Sequence, residues 1–304
     1  MRTVVITGAN TGLGFQTALS LAQMGERIVM ACRSVERARQ AQRDLLADVP
    51  NADTIVLPLD VSEPASIREF GEEFSDRIGR LDLLINNAGI AGGALTRNSV
   101  GHELQLATNH LGAFALVGTL LPFFRDDAPA RIVNVGSLAH RLAKLDLDDV
   151  NWEKTRYNEW RAYARSKLAL LSFTLELSRR LQRNGSHVVA LAAHPGMAAT
   201  EIAKGHAMVE PRSSFGKWLN RRIEPFIPLA ADAAMPILHA ACAKDVAGGD
   251  YFGPSRVLET RGTTGRASVN PIARDVDLAR QLWTSSESMT GVRYLSEAGG
   301  ETGA

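Results

Sequence analysis

Short apolar runs alternate with longer amphipathic stretches along most of this chain. The runs have the length of buried strands, and the stretches between them have the periodicity of helices. The predicted strands are Thr3 to Thr7, Arg27 to Ala31, Thr54 to Leu59, Leu81 to Ile85, Arg131 to Val135 and His187 to Ala192. The predicted helices are Gly14 to Met24, Val35 to Ala47, Ser66 to Ile78, Val100 to Phe124, Glu159 to Gln182 and Val276 to Trp283. Because such alternation is typical of a parallel sheet covered on both faces, it predicts a doubly wound α/β fold.

Two regions interrupt this rhythm. Met197 to Pro228 contains prolines and short basic or apolar patches but no clear strand. Glu259 to Ala304 is rich in Gly, Ser and Thr and keeps only the last predicted helix. We therefore predict a single domain over residues 1–290 and a flexible tail over residues 291–304.

Composition narrows the classes of function. The chain has 304 residues and a net charge of +1, which gives no field that would attract nucleic acid or an anionic membrane. Cys32 and Cys242 lie in no metal-ligand spacing, so we expect two reduced core thiols and no metal site. We see no secretory signal, and we expect no apolar run to reach the ~20 residues that cross a bilayer. The expectation is a cytoplasmic protein without an integral membrane segment.

A glycine-rich turn follows the first predicted strand directly. Gly8, Gly12 and Gly14 stand between that strand and the first helix, in the spacing Gly-x-x-x-Gly-x-Gly. Glycines at such a position allow the backbone to approach a pyrophosphate, which then meets the positive N-terminus of the helix. An ordinary glycine-rich turn is the alternative, but the placement between strand and helix favours a dinucleotide cofactor.

The end of the second predicted strand bears on the choice between NAD and NADP. An acidic residue there would bind a ribose 2′-hydroxyl, whereas an arginine would accept a 2′-phosphate. This chain has Arg33 and Ser34 and no carboxylate, which favours NADP. The alternative is a solvated arginine beside a serine that caps the following helix.

Other polar residues follow the carboxyl ends of predicted strands, where open α/β sheets bind ligands. Asp60 ends the third strand, and Asn87-Ala88-Gly89 follows the fourth. Ser137 ends the fifth strand, where it would either donate a hydrogen bond to a substrate carbonyl or cap the next turn. Asn109 lies within a predicted helix, where asparagine competes for backbone hydrogen bonds, so it marks either a local kink or a site residue.

Tyr163 and Lys167 are four residues apart on a predicted helix, which places a phenol and an ammonium on one face. A cation beside a phenol favours phenolate and lowers its pKa toward neutrality, as acid-base catalysis requires. An exposed helix face is the alternative for this pair taken alone. Together with the nucleotide-binding turn, the pair predicts redox chemistry on a carbonyl or an alcohol.

These residues, in this order, resemble the short-chain dehydrogenase/reductase family over roughly residues 1–200. The surrounding sequence is similar to the retinol dehydrogenase and protochlorophyllide reductase-like branch. The resemblance rests on the glycine turn, Asp60, Asn86-Asn87-Ala88-Gly89, Asn109, Ser137, Tyr163 with Lys167, and Pro195-Gly196. It implies a Rossmann-type oxidoreductase.

The resemblance also implies a role for each residue. Tyr163 would be the acid-base at the substrate oxygen, and Ser137 would orient the carbonyl. Lys167 would bind the nicotinamide ribose and lower the pKa of the tyrosine. Asn109 would hold a water that joins Lys167 to a proton relay. The implied cofactor-binding residues are Gly8, Asn10, Thr11, Gly12, Leu13, Gly14, Arg33, Ser34, Asp60, Val61, Asn87, Ala88, Gly89, Tyr163, Lys167, Pro195, Gly196 and Thr200.

Three hypotheses about function follow. The first is an NADP(H)-dependent oxidoreductase acting on a small, apolar carbonyl or alcohol, with Met197 to Pro228 as a substrate lid after the sixth strand. A homo-oligomer stays open under this hypothesis. The second is a catalytically silent protein that senses NADP on the same fold, which the intact Asn109, Ser137, Tyr163 and Lys167 set disfavours. The third, a sugar-nucleotide epimerase or dehydratase, fits the glycine spacing poorly.

Overall fold

The apolar runs lie side by side in one sheet. The computed structural model describes residues 1–125, 127–196 and 230–295, so the predicted lid and Thr200 lie outside the described residues. The described strands are β1 (Thr3–Thr7), β2 (Arg27–Cys32), β3 (Thr54–Pro58), β4 (Leu83–Asn86), β5 (Ala130–Val135), β6 (Val188–Ala193), β7 (Tyr251–Arg256) and β8 (Arg261–Arg266). Their order in the sheet is β3-β2-β1-β4-β5-β6-β7-β8.

The sheet is parallel from β3 to β7, and only β8 runs antiparallel, against β7. All five residues of β1 are buried, which explains its continuous apolar run. Because β1 lies between β2 and β4, the strand order reverses beside it, and the carboxyl ends of β1 and β4 border a crevice. The predicted doubly wound α/β fold is confirmed.

Helices cover both faces of this sheet. One face carries α1, α2 and α6, whose buried side chains include Leu21, Leu45 and Ile237. The other carries α3, α4, α5 and α7, where Phe114 and Trp283 meet edge to face with ring centroids 5.0 Å apart. The described helices are α1 (Gly12–Gln23), α2 (Val35–Asp48), α3 (Pro64–Arg77), α4 (Leu104–Leu106, Ala107–Leu111 and Gly112–Leu120 in succession), α5 (Glu159–Arg183), α6 (Ala230–Cys242) and α7 (Val276–Thr290).

The carboxyl-terminal third contains regular structure that the sequence did not predict. The helix α6 and the strands β7 and β8 were missed. A glycine and a proline lie inside β7, and β8 is a half-polar edge strand without an apolar run. The last helix continues past Trp283 to Thr290, where Gly291 adopts φ +71° and ends it.

The helix α4 also differs from its prediction. It begins at Leu104 rather than Val100, and its stretch Ala107–Leu111 is π-helical. The segment Leu104–Phe123 has 20 residues and is long and apolar enough to cross a membrane by length and composition alone. The expectation that no apolar run reaches this length is therefore wrong. Of its most apolar window, 67% is buried inside the protein, as expected of a helix that covers a sheet.

The packed part of the chain also extends beyond residue 290, where we placed the start of a flexible tail. Tyr294 donates a hydrogen bond to the Phe114 carbonyl at 3.0 Å, and its ring lies 4.9 Å from that of Trp283. Residues 291–295 are thus part of the aromatic core beside α4 and α7. Residues 296–304 lie outside the described part.

Candidate active site

One cleft at the carboxyl ends of β1, β4, β5 and β6 brings together most of the predicted site residues. Its volume is about 350 Å³. Asn109 does not line it, and Thr200 is not described. The predicted residues that line it are Gly8, Asn10, Thr11, Gly12, Leu13, Gly14, Arg33, Ser34, Asp60, Val61, Asn87, Ala88, Gly89, Ser137, Tyr163, Lys167, Pro195 and Gly196.

The glycine turn forms a backbone cradle at one wall of the cleft. Gly8 and Gly12 adopt φ +66° and +51°, which side chains rarely tolerate. A Cβ at Gly14 would lie 2.3 Å from the Gly8 carbonyl oxygen, so only glycine allows α1 to approach the turn this closely. The Asn87 amide secures the same turn by donating to the Thr7 carbonyl at 2.8 Å.

The N-terminus of α1 opens into this cradle. Among the described residues, the side chain of its N-cap Thr11 bonds to none of the N–H groups of the first turn. These N–H groups therefore remain available to an anion at the positive end of the helix. Backbone cradle and helix terminus together fit the pyrophosphate of a dinucleotide.

Charged residues form the rim of the cleft beyond β2 and β3. The Arg33 side chain is 67% exposed, and one guanidinium nitrogen lies 3.8 Å from an Asp60 carboxylate oxygen. The Asp60 carboxylate accepts hydrogen bonds from the Ser62 backbone N–H at 3.0 Å and the Ser62 hydroxyl at 2.6 Å. Ser34 caps α2 by accepting a hydrogen bond from the Arg37 N–H, as the capping alternative predicted. Ser34 also lines the cleft.

Ser137 and Tyr163 meet at the opposite end of the cleft. Ser137 caps the 3₁₀ turn Leu138–Leu142, and its side chain also interacts with the Tyr163 phenol and lowers its pKa. Burial raises the pKa of Tyr163, and the interaction with Ser137 lowers it by less than burial raises it. Ser137 therefore both caps and reaches the predicted acid-base residue.

Lys167 lies one helical turn after Tyr163, on the same side of α5. It is only 4% exposed, and its Nζ donates to the Val135 carbonyl at 2.9 Å. Burial lowers the pKa of Lys167 to about 8. We predicted that the pKa of Tyr163 is lowered toward neutrality. In this structure it is raised, because burial raises the pKa by more than the Ser137 side chain lowers it.

Asn109 lies within the π-helical stretch of α4. Its side-chain amide accepts from the Ile90 N–H at 2.9 Å and donates to the Ile90 carbonyl at 2.9 Å and the Ser166 hydroxyl at 2.8 Å. These bonds join the loop after β4 to α5. A Cβ at Gly89 would lie 3.0 Å from the Asn109 oxygen and 3.2 Å from the Lys167 nitrogen, so both polar groups converge behind Gly89. The predicted local irregularity at Asn109 is thus present, and its role as a site residue stays a prediction.

Sequence reasoning missed several cleft residues. Most are direct neighbours in sequence of predicted ones, which is the signal that would have found them. Arg37 is different, since it lies in the first turn of α2, whose N-terminus follows Arg33 and Ser34 and so faces the same rim. The missed residues are Arg37, Leu59, Ile90, Leu104, Thr108, Val135 and Gly136.

A second, larger cavity lies elsewhere in the molecule. It measures about 810 Å³, lies between α3, α4 and the end of α7, and shares only Val61 with the cleft. The buried Lys167 and the half-buried Tyr163 line the smaller cleft. Because perturbed titratable groups beside a nucleotide cradle indicate chemistry better than volume does, we assign the candidate active site to the smaller cleft.

Similarity to known proteins agrees with this geometry. A family model described as short chain dehydrogenase matches residues 2–208. Retinol dehydrogenase 13 of Homo sapiens is 39% identical over 297 residues, which cover 97% of this chain and 86% of that protein. Retinol dehydrogenase 12 of Homo sapiens is 38% identical over 295 residues, which cover 96% of this chain and 87% of that protein.

Solved structures agree as well. The crystal structure of an uncharacterized protein from Mycobacterium Paratuberculosis has a TM-score of 0.79 and 37% identity, and covers 97% of this chain and 95% of that one. A complex of Pseudomonas aeruginosa RhlG with NADP has a TM-score of 0.64 and covers 82% of this chain and 93% of that one. At 24% identity it shows the fold alone. With the family model spanning well over half of its length, this chain belongs to the short-chain dehydrogenase family of oxidoreductases.

Proposed function

We propose that this chain is an NADP(H)-dependent oxidoreductase that interconverts a small, apolar carbonyl compound and its alcohol. The observation that carries the proposal is the convergence of the glycine cradle, Arg33, Ser137, Tyr163 and Lys167 in one cleft. Relatives named retinol dehydrogenases support an alcohol or aldehyde as the substrate class.

The cofactor would lie along this cleft. Gly8, Gly12 and Gly14 would hold its pyrophosphate, and Lys167 would hold the ribose at the catalytic end. When bound, the nicotinamide supplies or accepts a hydride at the substrate carbon. The residues of the chain then have to bind, orient and manage the proton at the substrate oxygen.

Tyr163 would give that proton in the direction of carbonyl reduction. Because burial raises the pKa of its phenol, the hydroxyl is protonated at neutral pH and ready to donate. Ser137, beside the phenol, would donate a hydrogen bond to the same substrate oxygen and hold it in line. Lys167, with a pKa of about 8, is mostly an ammonium at neutral pH and would stabilise the phenolate that remains.

Arg33 supports NADP over NAD. Its pairing with Asp60 is long, at 3.8 Å, and largely exposed, so the pair is weak and a phosphate dianion competes with it. Arg37 adds a second exposed cation at the same rim. In the described structure no carboxylate follows β2 directly, where NAD-binding sheets place the group that binds the ribose.

The test is turnover by the purified chain. Consumption of NADPH and of NADH should be compared with a panel of apolar aldehydes and ketones that includes retinaldehyde. We expect turnover of at least one aldehyde or ketone, faster with NADPH. Tight NADPH binding without turnover of any carbonyl compound would instead favour a cofactor-binding protein without catalytic activity.

A further inference from the structure

A single carboxylate, Glu259, links two segments that line the cleft. It lies in the turn between β7 and β8, and its side chain is 16% exposed. One oxygen accepts from the Ser268 N–H at 2.9 Å and the Ser268 hydroxyl at 2.8 Å. The other lies 3.2 Å from His194 Nε2 and pairs with the Arg141 guanidinium.

Two hydrogen bonds, one at each ring nitrogen of His194, determine which nitrogen carries the proton. His194 Nδ1 accepts a hydrogen bond from the Gly196 N–H at 3.1 Å, so that nitrogen is unprotonated. The proton of the neutral ring is therefore on Nε2 and points to the Glu259 carboxylate. Burial lowers the pKa of His194 to about 4, which keeps the ring neutral in this tautomer at physiological pH.

The hydrogen bonds that run from Glu259 through His194 end at Gly196, which lines the cleft. Pro195 and Gly196 line the cleft, and Gly196 adopts φ +73°. A Cβ at Gly196 would lie 2.4 Å from the Thr260 carbonyl oxygen, so the turn that carries Glu259 also contacts Gly196 directly. Gly253 on β7 leaves the space for the imidazole, since a Cβ there would lie 2.0 Å from His194 Nε2.

Arg141 carries the link to the other segment. It lies in the 3₁₀ turn Leu138–Leu142, which Ser137 caps, and it also donates to the Leu258 carbonyl at 3.3 Å. Both bonds of Arg141 thus end on the turn that carries Glu259. The Glu259 side chain therefore connects the turn that begins at Ser137 with Pro195 and Gly196, which form one wall of the cleft.

The backbone of this turn is strained. Val257, Leu258 and Glu259 adopt φ of 48°, 55° and 64° in succession, and none of them is glycine. A left-handed conformation is unfavourable for an L-residue. Such conformations persist only where surrounding contacts over-determine them, and the bonds to Glu259 are contacts of that kind.

We propose that Glu259 is a positioning residue for the reaction proposed above. Through His194 it fixes the Gly196 N–H and the Pro195–Gly196 wall, and through Arg141 it fixes the turn that begins at Ser137. It touches neither substrate nor cofactor. Its loss lets the two segments move relative to Tyr163, which lowers the rate far more than it lowers cofactor affinity.

The test compares Glu259→Gln with a matched control. Asp250→Asn removes the ion pair of Asp250 with Arg266, at 3.1 Å, from the same β7–β8 region, and the Asp250 side chain is also 16% exposed. In Glu259→Gln we expect kcat to fall about 10- to 100-fold, and the Kd for NADPH to stay within about threefold. Asp250→Asn should leave both near the wild-type values.

A second readout needs no turnover. Nitrogen NMR of isotope-labelled histidines, with His194 assigned from a His194→Gln variant, reports the tautomer of the ring. We expect the Nε2-protonated form in the wild type. We expect a mixture of forms in Glu259→Gln, because the new amide can donate to Nε2 as well as accept from it and no longer holds the Gly196 N–H against Nδ1. An unchanged tautomer, or a fall in kcat no larger than in Asp250→Asn, overturns the proposal. A wild type without turnover refutes the proposed function and leaves this tautomer test intact.

The double variant separates positioning from general destabilisation. If His194 and Glu259 act as a unit, the two substitutions together should reduce kcat no more than the larger single effect. His194→Gln also breaks the link from the other side should Glu259→Gln fail to fold. If the effects of the two substitutions on kcat multiply, the proposal is contradicted. It is also contradicted if kcat falls only in proportion to the folded fraction of each variant.

Discussion

The two ends of the cleft place their charged groups in opposite surroundings. At one end, the Arg33 side chain is 67% exposed and paired loosely with Asp60. At the other, Lys167 is 4% exposed and bonded to the backbone, and the Tyr163 phenol interacts with Ser137. Exposed charges are screened by salt, whereas burial lowers the pKa of Lys167 and raises that of Tyr163. The exposed end is thus suited to selecting a cofactor and the buried end to moving a proton.

The same contrast extends to how each end is built. The cofactor end relies on backbone geometry within a few residues, such as Gly8, Gly12 and Gly14. The catalytic end relies on side chains that come from distant parts of the chain, as Asn109, Ile90 and Ser166 show. Substitutions at the first end should therefore act mainly on binding, and those at the second mainly on rate.

Replacing the phenol should give the largest effect. We expect Tyr163→Phe to lower kcat by roughly 10²–10⁴-fold, because the buried hydroxyl is the proton donor in the proposed mechanism. The Kd for NADPH should not change. Turnover with saturating NADPH and a fluorescence titration of the cofactor measure the two quantities. Tyr157→Phe is the control, since Tyr157 bonds to Glu103 and lies outside the cleft. A rate for Tyr163→Phe within a few-fold of wild type would move the proton role to another residue.

The exposed end should respond in affinity instead. Arg33→Ala should weaken NADPH binding by about tenfold to a hundredfold and leave NADH binding nearly unchanged, because a charge-assisted phosphate contact contributes roughly 1.5–3 kcal/mol. The loss should shrink as salt is raised, since the guanidinium is exposed. Titrations of both cofactors at low and high salt check this. An equal loss for NADPH and NADH would show that Arg33 does not recognise a 2′-phosphate.

The buried lysine should make stability depend on pH. Its folded pKa of about 8 lies below the ordinary value of 10.5, so the unfolded chain binds more protons between these two pH values. This group therefore raises stability as pH increases, by roughly 2 kcal/mol between about pH 8 and 10. Urea unfolding of the wild type and Lys167→Met at both pH values measures it. If the two proteins gain the same stability between these pH values, Lys167 is not desolvated in solution.

The smallest expected effect belongs to the second arginine of the rim. Arg37→Ala should weaken NADPH binding by up to about fivefold, because exposed charge pairs contribute only about 0.2–1 kcal/mol. Arg39→Ala is the matched control, since Arg39 is exposed on the same helix but does not line the cleft. Equal Kd values for NADPH in the two variants would remove Arg37 from the cofactor rim.

The early strands and the glycine turn were predictable because their signals are local. The run Thr3–Thr7 was predicted with the bounds the structure shows, since every residue in it is buried. Ser137 and Asn109 were harder, because a capping or kinking residue and a site residue have the same local pattern. The structure confirms the cap at Ser137 and a local irregularity at Asn109, and the role of each residue in the site stays a prediction.

The missed elements lack a local signal. The strand β8 is an edge strand of Arg, Gly and Thr whose place is set by pairing with β7, not by its own composition. The pKa of Tyr163 was predicted with the wrong direction for a related reason. Spacing along a helix places Lys167 near the phenol, but it says nothing about how deeply both groups are desolvated.

The sequence alone determined the doubly wound sheet, the nucleotide-binding turn and the Tyr163–Lys167 pair, because strand burial, glycine spacing and helical periodicity each act within about twenty residues. Only the tertiary structure decided that Glu259 joins His194 and Arg141, and that Asn109 joins the loop after β4 to α5. Contacts between residues so far apart in the chain depend on how the whole sheet assembles, and no local pattern encodes them.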